Sequence, residues 1–189
     1  MLVRWVDSKT DFTNRDFISA VMKEIHKLHD SDGTIGAVSG IHRIVKDTED
    51  RLGTTENDLE GCVARIHKQI IPETMIYEEK LIHGDFHHRN ILCVDERIEI
   101  IDWVSLAMGD PIQDIAFFYF FLDREYPQDF REILKIYYER ELSDAEYRHA
   151  LAWLIFITYW KYLEEVERHG ARQDELLCAL KKRMDGYEV

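Results

Sequence analysis

LIHGDFHHRNILCVDERIEIIDW, residues 81–103, decides how the rest of this chain is read. Its second half holds two short β-branched runs, ILCV (91–94) and IEII (98–101), separated by the polar Asp95-Glu96-Arg97. Runs of that length around a tight polar break predict a β-hairpin. Its first half, His83 to Asn90, is a polar loop that leads into the hairpin and carries Asp85 and Asn90 five residues apart. A hairpin folds back on itself, so Asn90, before the first strand, and Asp102, after the second, can meet around one cation although twelve positions separate them. An amide oxygen and a carboxylate are hard ligands suited to Mg²⁺, which takes its remaining oxygens from water and phosphates. Asp85, just upstream, is placed to receive or orient the proton of an attacking hydroxyl. Together these parts serve phosphoryl transfer, where a protein mainly positions groups and neutralises charge.

Two other readings compete for the same residues. Asp and Asn are common turn formers at strand ends, but that explains none of the spacing among Asp85, Asn90 and Asp102. His83, His87 and His88 invite a zinc site, since histidines at i and i+4 on a helix can share a metal. Here an adjacent strand and loop replace the helix, and the geometry disfavours that pair.

Outward from this stretch the chain is helical. Phe17, Ile18, Val21, Met22, Ile25 and Leu28 form one stripe over 14–29, with Thr13 or Asn14 as N-cap. GTIGAVSG (33–40) lacks the spacing of a phosphate-binding glycine loop and is read as a flexible connection. A second helix is expected from about residue 55, through Leu59, Val63, Ile66 and Ile70, until Pro72 ends it. After the hairpin, Asp110-Pro111 is a good N-cap and N1 pair for a helix whose IAFFYFFL core is apolar all round. Further helices are expected over 129–139, from the capping-box sequence Ser143-Asp-Ala-Glu146 to Gly170, and over 173–184.

With 189 residues the chain is read as a single domain, 1–189, mainly α with a small β-hairpin. Apolar residues at 46% and charged residues at 32% predict a folded globular protein. The net charge of −13 argues against a nucleic-acid or anionic-membrane partner, which needs clustered Lys and Arg. Three cysteines with no paired spacing, no signal-like N-terminus and no apolar run near the ~20 residues that span a bilayer make the cytoplasm the expected location.

His83-Gly84-Asp85 followed by Asn90 resembles the H-G-D-x-x-x-x-N catalytic loop of the aminoglycoside phosphotransferase and choline kinase family, a cousin of the protein-kinase loop. Ile101-Asp102-Trp103 resembles that family's counterpart of the protein-kinase D-F-G aspartate, and GDPIQDIA (109–116) resembles its G-D-P-x-x-D-x-A segment. Leu28-His29 is similar to the frequent ending of the family's first C-lobe helix, and His87 falls where the family commonly has His. The resemblance implies the C-terminal lobe of a protein-kinase-like fold: catalytic loop 83–90, metal-site hairpin 91–103, helical remainder 110–184. It implies Asp85 as catalytic base, Asn90 and Asp102 as metal ligands, and His83, Asp110 and Asp114 as supports of the loop. It further implies Mg²⁺ as cofactor, ATP as donor and a small-molecule hydroxyl as acceptor. The family's preceding β lobe, with its phosphate-covering loop, strand Lys and helix Glu, is not identifiable before residue 14, so that lobe is expected to be absent from this chain. Another polypeptide or self-association would then complete the site, or the chain would serve as a non-catalytic binding or scaffold module.

The long helix beginning near Ser143 places Trp153, Phe156 and Trp160 at i, i+3 and i+7, with Glu164 following on the same side. Aromatic faces and a carboxylate attract ammonium groups, so this surface is expected to bind a cationic acceptor such as an aminated sugar or a choline-like alcohol. The competing reading is that the stripe is helix core.

Overall fold

In the first helix the Asn14 side chain accepts from the amides of Asp16 and Phe17, and α1 (Arg15–His29) runs from that cap. The computed structural model describes residues 10–32, 61, 63, 79–95 and 97–188. The glycine connection (33–40) and the helix expected over 55–72 therefore lie outside the described residues, apart from Gly61 and Val63. Those two are helical, and the Val63 side chain is wholly buried.

Four short strands come next. β2 (Ile91–Val94) and β3 (Arg97–Ile100) form the expected hairpin, with Val94 opposite Arg97 and Ile91 opposite Ile100. A second antiparallel ribbon pairs β1 (Lys80–Ile82) with β4 (Ala107–Gly109), Leu81 facing Met108. Each of its strands has only three residues, too few for the alternation that marks a strand in sequence. This ribbon encloses the polar loop and the hairpin between its strands. Both ends of residues 83–106 are thereby pinned to one place.

Asp110 caps α2 (Pro111–Glu125) through the Ile112 amide, with Pro111 in the first turn. α2 is buried almost all round, from Ile112 to Phe120 and at Leu122, because it packs against β1, α3 (Phe130–Tyr138) and α4 (Asp144–Glu167). α3 follows an Asp129 N-cap and stops at Glu139, which is left-handed at φ 54°. The Ser143 and Glu146 capping box opens α4. α5 (Gln173–Glu188) runs back along α4 and is one turn longer than its sequence pattern predicts.

α4 corrects one expectation. It lies between α2 and α5, so both of its flanks need apolar surface, and every residue from His149 to Tyr159 is buried. Trp153 (0% exposed) and Phe156 (1%) are therefore core, not an acceptor surface. Trp160 and Glu164, one to two turns further on, are only partly buried.

The chain is thus mainly α with two small β-ribbons, the architecture of the helical C-terminal lobe of the protein-kinase-like fold. Among the described residues no helix is long and apolar enough to cross a membrane. Cys93 and Cys178 are free thiols.

Candidate active site

The loop 83–90 is held from beneath by a buried carboxylate. Asp114, in the first turn of α2 and 0% exposed, accepts the His83 amide on Oδ2 at 2.7 Å and the Gly84 amide on Oδ1 at 2.9 Å. It also accepts from His29 Nε2 at 3.1 Å, and His29 Nδ1 in turn lies 2.8 Å from the Tyr137 hydroxyl. A carboxylate only accepts, so His29 donates from Nε2, and in the neutral ring Nδ1 accepts the hydrogen bond of the Tyr137 hydroxyl. Three elements, α1, α2 and α3, thereby converge on two backbone amides just ahead of Asp85.

The loop's own side chains complete the hold. His83 is buried, with Nε2 2.9 Å from the Ile101 carbonyl and Nδ1 accepting the Asp85 amide at 3.3 Å. A carbonyl can only accept and an amide can only donate, which assigns the neutral tautomer protonated on Nε2. Phe86, 0% exposed, stacks on Phe118 of α2 with ring centroids 5.3 Å apart. Gly84 adopts φ +78°, and a Cβ there would overlap the carbonyl oxygen of Ser105. At the far end, Glu125 binds His88 Nε2 at 3.1 Å and Arg89 Nη2 at 2.7 Å. The Arg89 hydrogen bond, foremost, draws the Glu125 carboxyl below its usual range. Burial pushes the His88 imidazole down, against the pull of Glu125.

With its backbone fixed, Asp85 projects to solvent at 39% side-chain exposure, and His87 Nε2 lies 3.8 Å from its Oδ2. Burial lowers the His87 pKa more strongly than Asp85 raises it.

Asn90 is 7% exposed, and its Nδ2 donates to the Asp85 carbonyl at 3.0 Å. That bond orients the amide and leaves Oδ1 as the atom that could take a ligand. The Ile101 amide donates to the Asn90 carbonyl at 2.9 Å, continuing the β2–β3 ladder by one step and bringing Asp102 to the Asn90 end of the hairpin. Asp102 is left-handed, at φ 64°, and exposed. An amide oxygen and an exposed carboxylate at the base of one hairpin fit a hard divalent cation that fills its other positions with water and phosphate. Among the described residues no three His, Cys, Asp or Glu side chains gather as a metal site. His83 and His88, committed to Ile101 and Glu125, do not form the alternative zinc cluster with His87.

Asp110, the other expected support, lies below a different part of the fold. Besides capping α2 it accepts from His149 Nε2 at 2.5 Å and Trp153 Nε1 at 2.7 Å, which ties α2 to α4. The sequence reading missed the anchoring roles of His29, Phe86 and Tyr137. For His29 a signal existed, because it continues the apolar stripe of α1 at i+4 from Ile25.

Residues 26–154 match the phosphotransferase enzyme family. No curated protein matches the sequence. A choline/ethanolamine kinase family protein from Mesorhizobium loti superposes with a TM-score of 0.73 at 18% identity, over 93% of this chain and 65% of that one. The choline kinase LicA from Streptococcus pneumoniae gives 0.67 at 17% identity, over 90% and 63%. A GDP and kanamycin complex of APH(2")-IIia gives 0.65 at 16% identity, over 89% and 62%. The chain therefore spans just under two thirds of the length of each of these structures.

Proposed function

The chain belongs to the phosphotransferase enzyme family, and on that premise we propose that it carries the catalytic lobe of an ATP- and Mg²⁺-dependent kinase acting on a hydroxyl of a small molecule. The observation that supports this reading most is the disposition of Asp85, whose backbone is fixed from the core through Asp114, His83 and Asn90 while its carboxylate reaches solvent. In the proposed step the acceptor oxygen bonds to the γ-phosphorus as the bond from that phosphorus to the bridging oxygen of the nucleoside diphosphate breaks. Asp85 orients the hydroxyl and takes its proton. Asn90 Oδ1 and the Asp102 carboxylate would hold Mg²⁺, which when bound supplies neutralisation of phosphate charge. A nucleotide in the related GDP and kanamycin complex supports a nucleoside triphosphate donor.

The test joins this chain to the nucleotide-binding lobe of a matched relative and measures nucleoside diphosphate release over a panel of hydroxyl compounds. Asp85→Asn should lower the rate by about 10²–10⁴-fold without moving the unfolding midpoint, and Asp102→Ala should abolish the response to Mg²⁺. Near-normal turnover by Asp85→Asn would remove that residue as base. Absence of both transfer and nucleotide binding in the joined protein would favour the scaffold reading.

A further inference from the structure

A cation of the protein itself lies two ring contacts from Asp85. Phe121, on α2, lies against the His87 ring at 5.1 Å between centroids, and His87 reaches Asp85. Phe121 also meets the ammonium of Lys161 from α4, which lies 5.6 Å from the Phe121 centroid, 5.7 Å from that of Phe117 and 3.9 Å from that of Trp160. The same ammonium pairs with Glu164 at 3.1 Å, both side chains being about a fifth exposed, at 21% and 22%. Three ring faces and one carboxylate form a cation-binding corner, and a side chain of the protein fills it. These are the aromatic and acidic groups, Trp160 and Glu164, that the sequence offers to a cationic acceptor.

We propose that Lys161 is a specificity-determining residue: its ammonium occupies the aromatic corner linked to Asp85 through Phe121 and His87 and keeps ammonium-bearing compounds out, so the acceptor presents its hydroxyl on a neutral scaffold. The inference deepens the kinase reading and takes its acceptor class from it. An incoming ammonium meets ring faces already engaged and a Glu164 whose charge is already matched, and it must also approach a positive neighbour. Discrimination here comes from a built-in repulsive element rather than from an added attraction. A neutral polyol meets no such opposition.

The test reads binding, not turnover, so its outcome is independent of whether the lobe catalyses. The full chain, with ¹⁵N-labelled tryptophan, is titrated with tetramethylammonium and with choline while the Trp160 indole signal, assigned through Trp160→Phe, is followed by NMR. The wild type should show no saturable shift. Lys161→Met, which keeps the apolar stem, should bind both cations at least about tenfold more tightly, and Lys161→Gln should do the same with an uncharged polar head. Adding Glu164→Gln to either variant should weaken that gain. Circular dichroism and unfolding midpoints establish that each variant is folded. Saturable binding of tetramethylammonium by the wild type as tight as by Lys161→Met would overturn the proposal. A folded Lys161→Met and Lys161→Gln that both fail to bind either cation would overturn it equally.

Discussion

The two sides of the candidate site are built in opposite ways. Residues 83–90 rest on the core: His83, Phe86, His88 and Asn90 are buried, and Asp114 beneath them is 0% exposed. Residues 101–104 stand in solvent, with Ile101 37%, Trp103 41% and Val104 90% exposed. Asp85, the proposed base, is thus positioned before any ligand arrives, as catalysis by positioning requires. Segment 101–104 is held by the Ile101 ladder bond, the His83 Nε2 bond to the Ile101 carbonyl, the Trp103 indole donating to the Ile100 carbonyl and the packing of that ring on His83. Phosphate and cation would supply the rest. Apolar side chains left exposed on that segment fit a surface that another part of the fold or a ligand covers.

The contrast can be broken most severely at Asp114. Asp114→Ala strands three buried donors, the amides of His83 and Gly84 and the ring of His29, and should cost about 3–5 kcal/mol, read as a lower urea midpoint with loss of amide protection over 83–90 in hydrogen exchange. Full protection of that loop in the folded variant would show that the core does not hold it. Gly84→Ala is next. It places a Cβ against the Ser105 carbonyl in a left-handed conformation and should cost about 1–3 kcal/mol, with faster exchange at both 83–90 and 101–105, since this is one of the places where the two sides meet. Exchange confined to one side would separate them.

A smaller effect, remote from the site, supplies the control. The Glu146 carboxyl is drawn down to about 2, first by its hydrogen bonds from Arg140 and then by those from Ser143. A folded-state pKa below the ordinary 4.5 means that its contribution is whole above that pH and is lost as pH falls toward 2. The pair is partly exposed, so the contribution should be about 0.5–1 kcal/mol after screening. Glu146→Gln should then be less stable than wild type at pH 6, the gap should close near pH 2, and exchange over 83–90 should not change. A gap independent of pH would reject the assignment. Val104→Ser should change stability least, by no more than about 0.5 kcal/mol. A larger drop in the chain alone would mean that the open side is covered after all.

Most of this side-to-side arrangement could be read in advance at its polar residues. The hairpin, the capping residues Asn14, Asp110, Asp129 and Ser143, and the helices that follow are local matters, governed by periodicity and by side chains that reach the nearest free amides. The three-residue strands β1 and β4 were not legible, because what makes them strands is each other. The aromatic stripe of α4 was read in part wrongly for a related reason. Trp153 and Trp160 look alike at helical spacing, and only the helices on either side decide that one ring is fully core and the other only partly buried.

The sequence by itself determined which polar residues meet at the candidate site, because Asp85, Asn90 and Asp102 stand at spacings that a single loop and hairpin convert into proximity. The tertiary structure alone decided what holds and what surrounds them. His29 reaches Asp114 across 85 positions and Tyr137 reaches His29 across 108, and Lys161 meets Phe117 and Phe121 only because α4 packs on α2. Contacts between distant segments depend on how whole elements bury their apolar faces, and no local pattern encodes which side chains that burial will bring together.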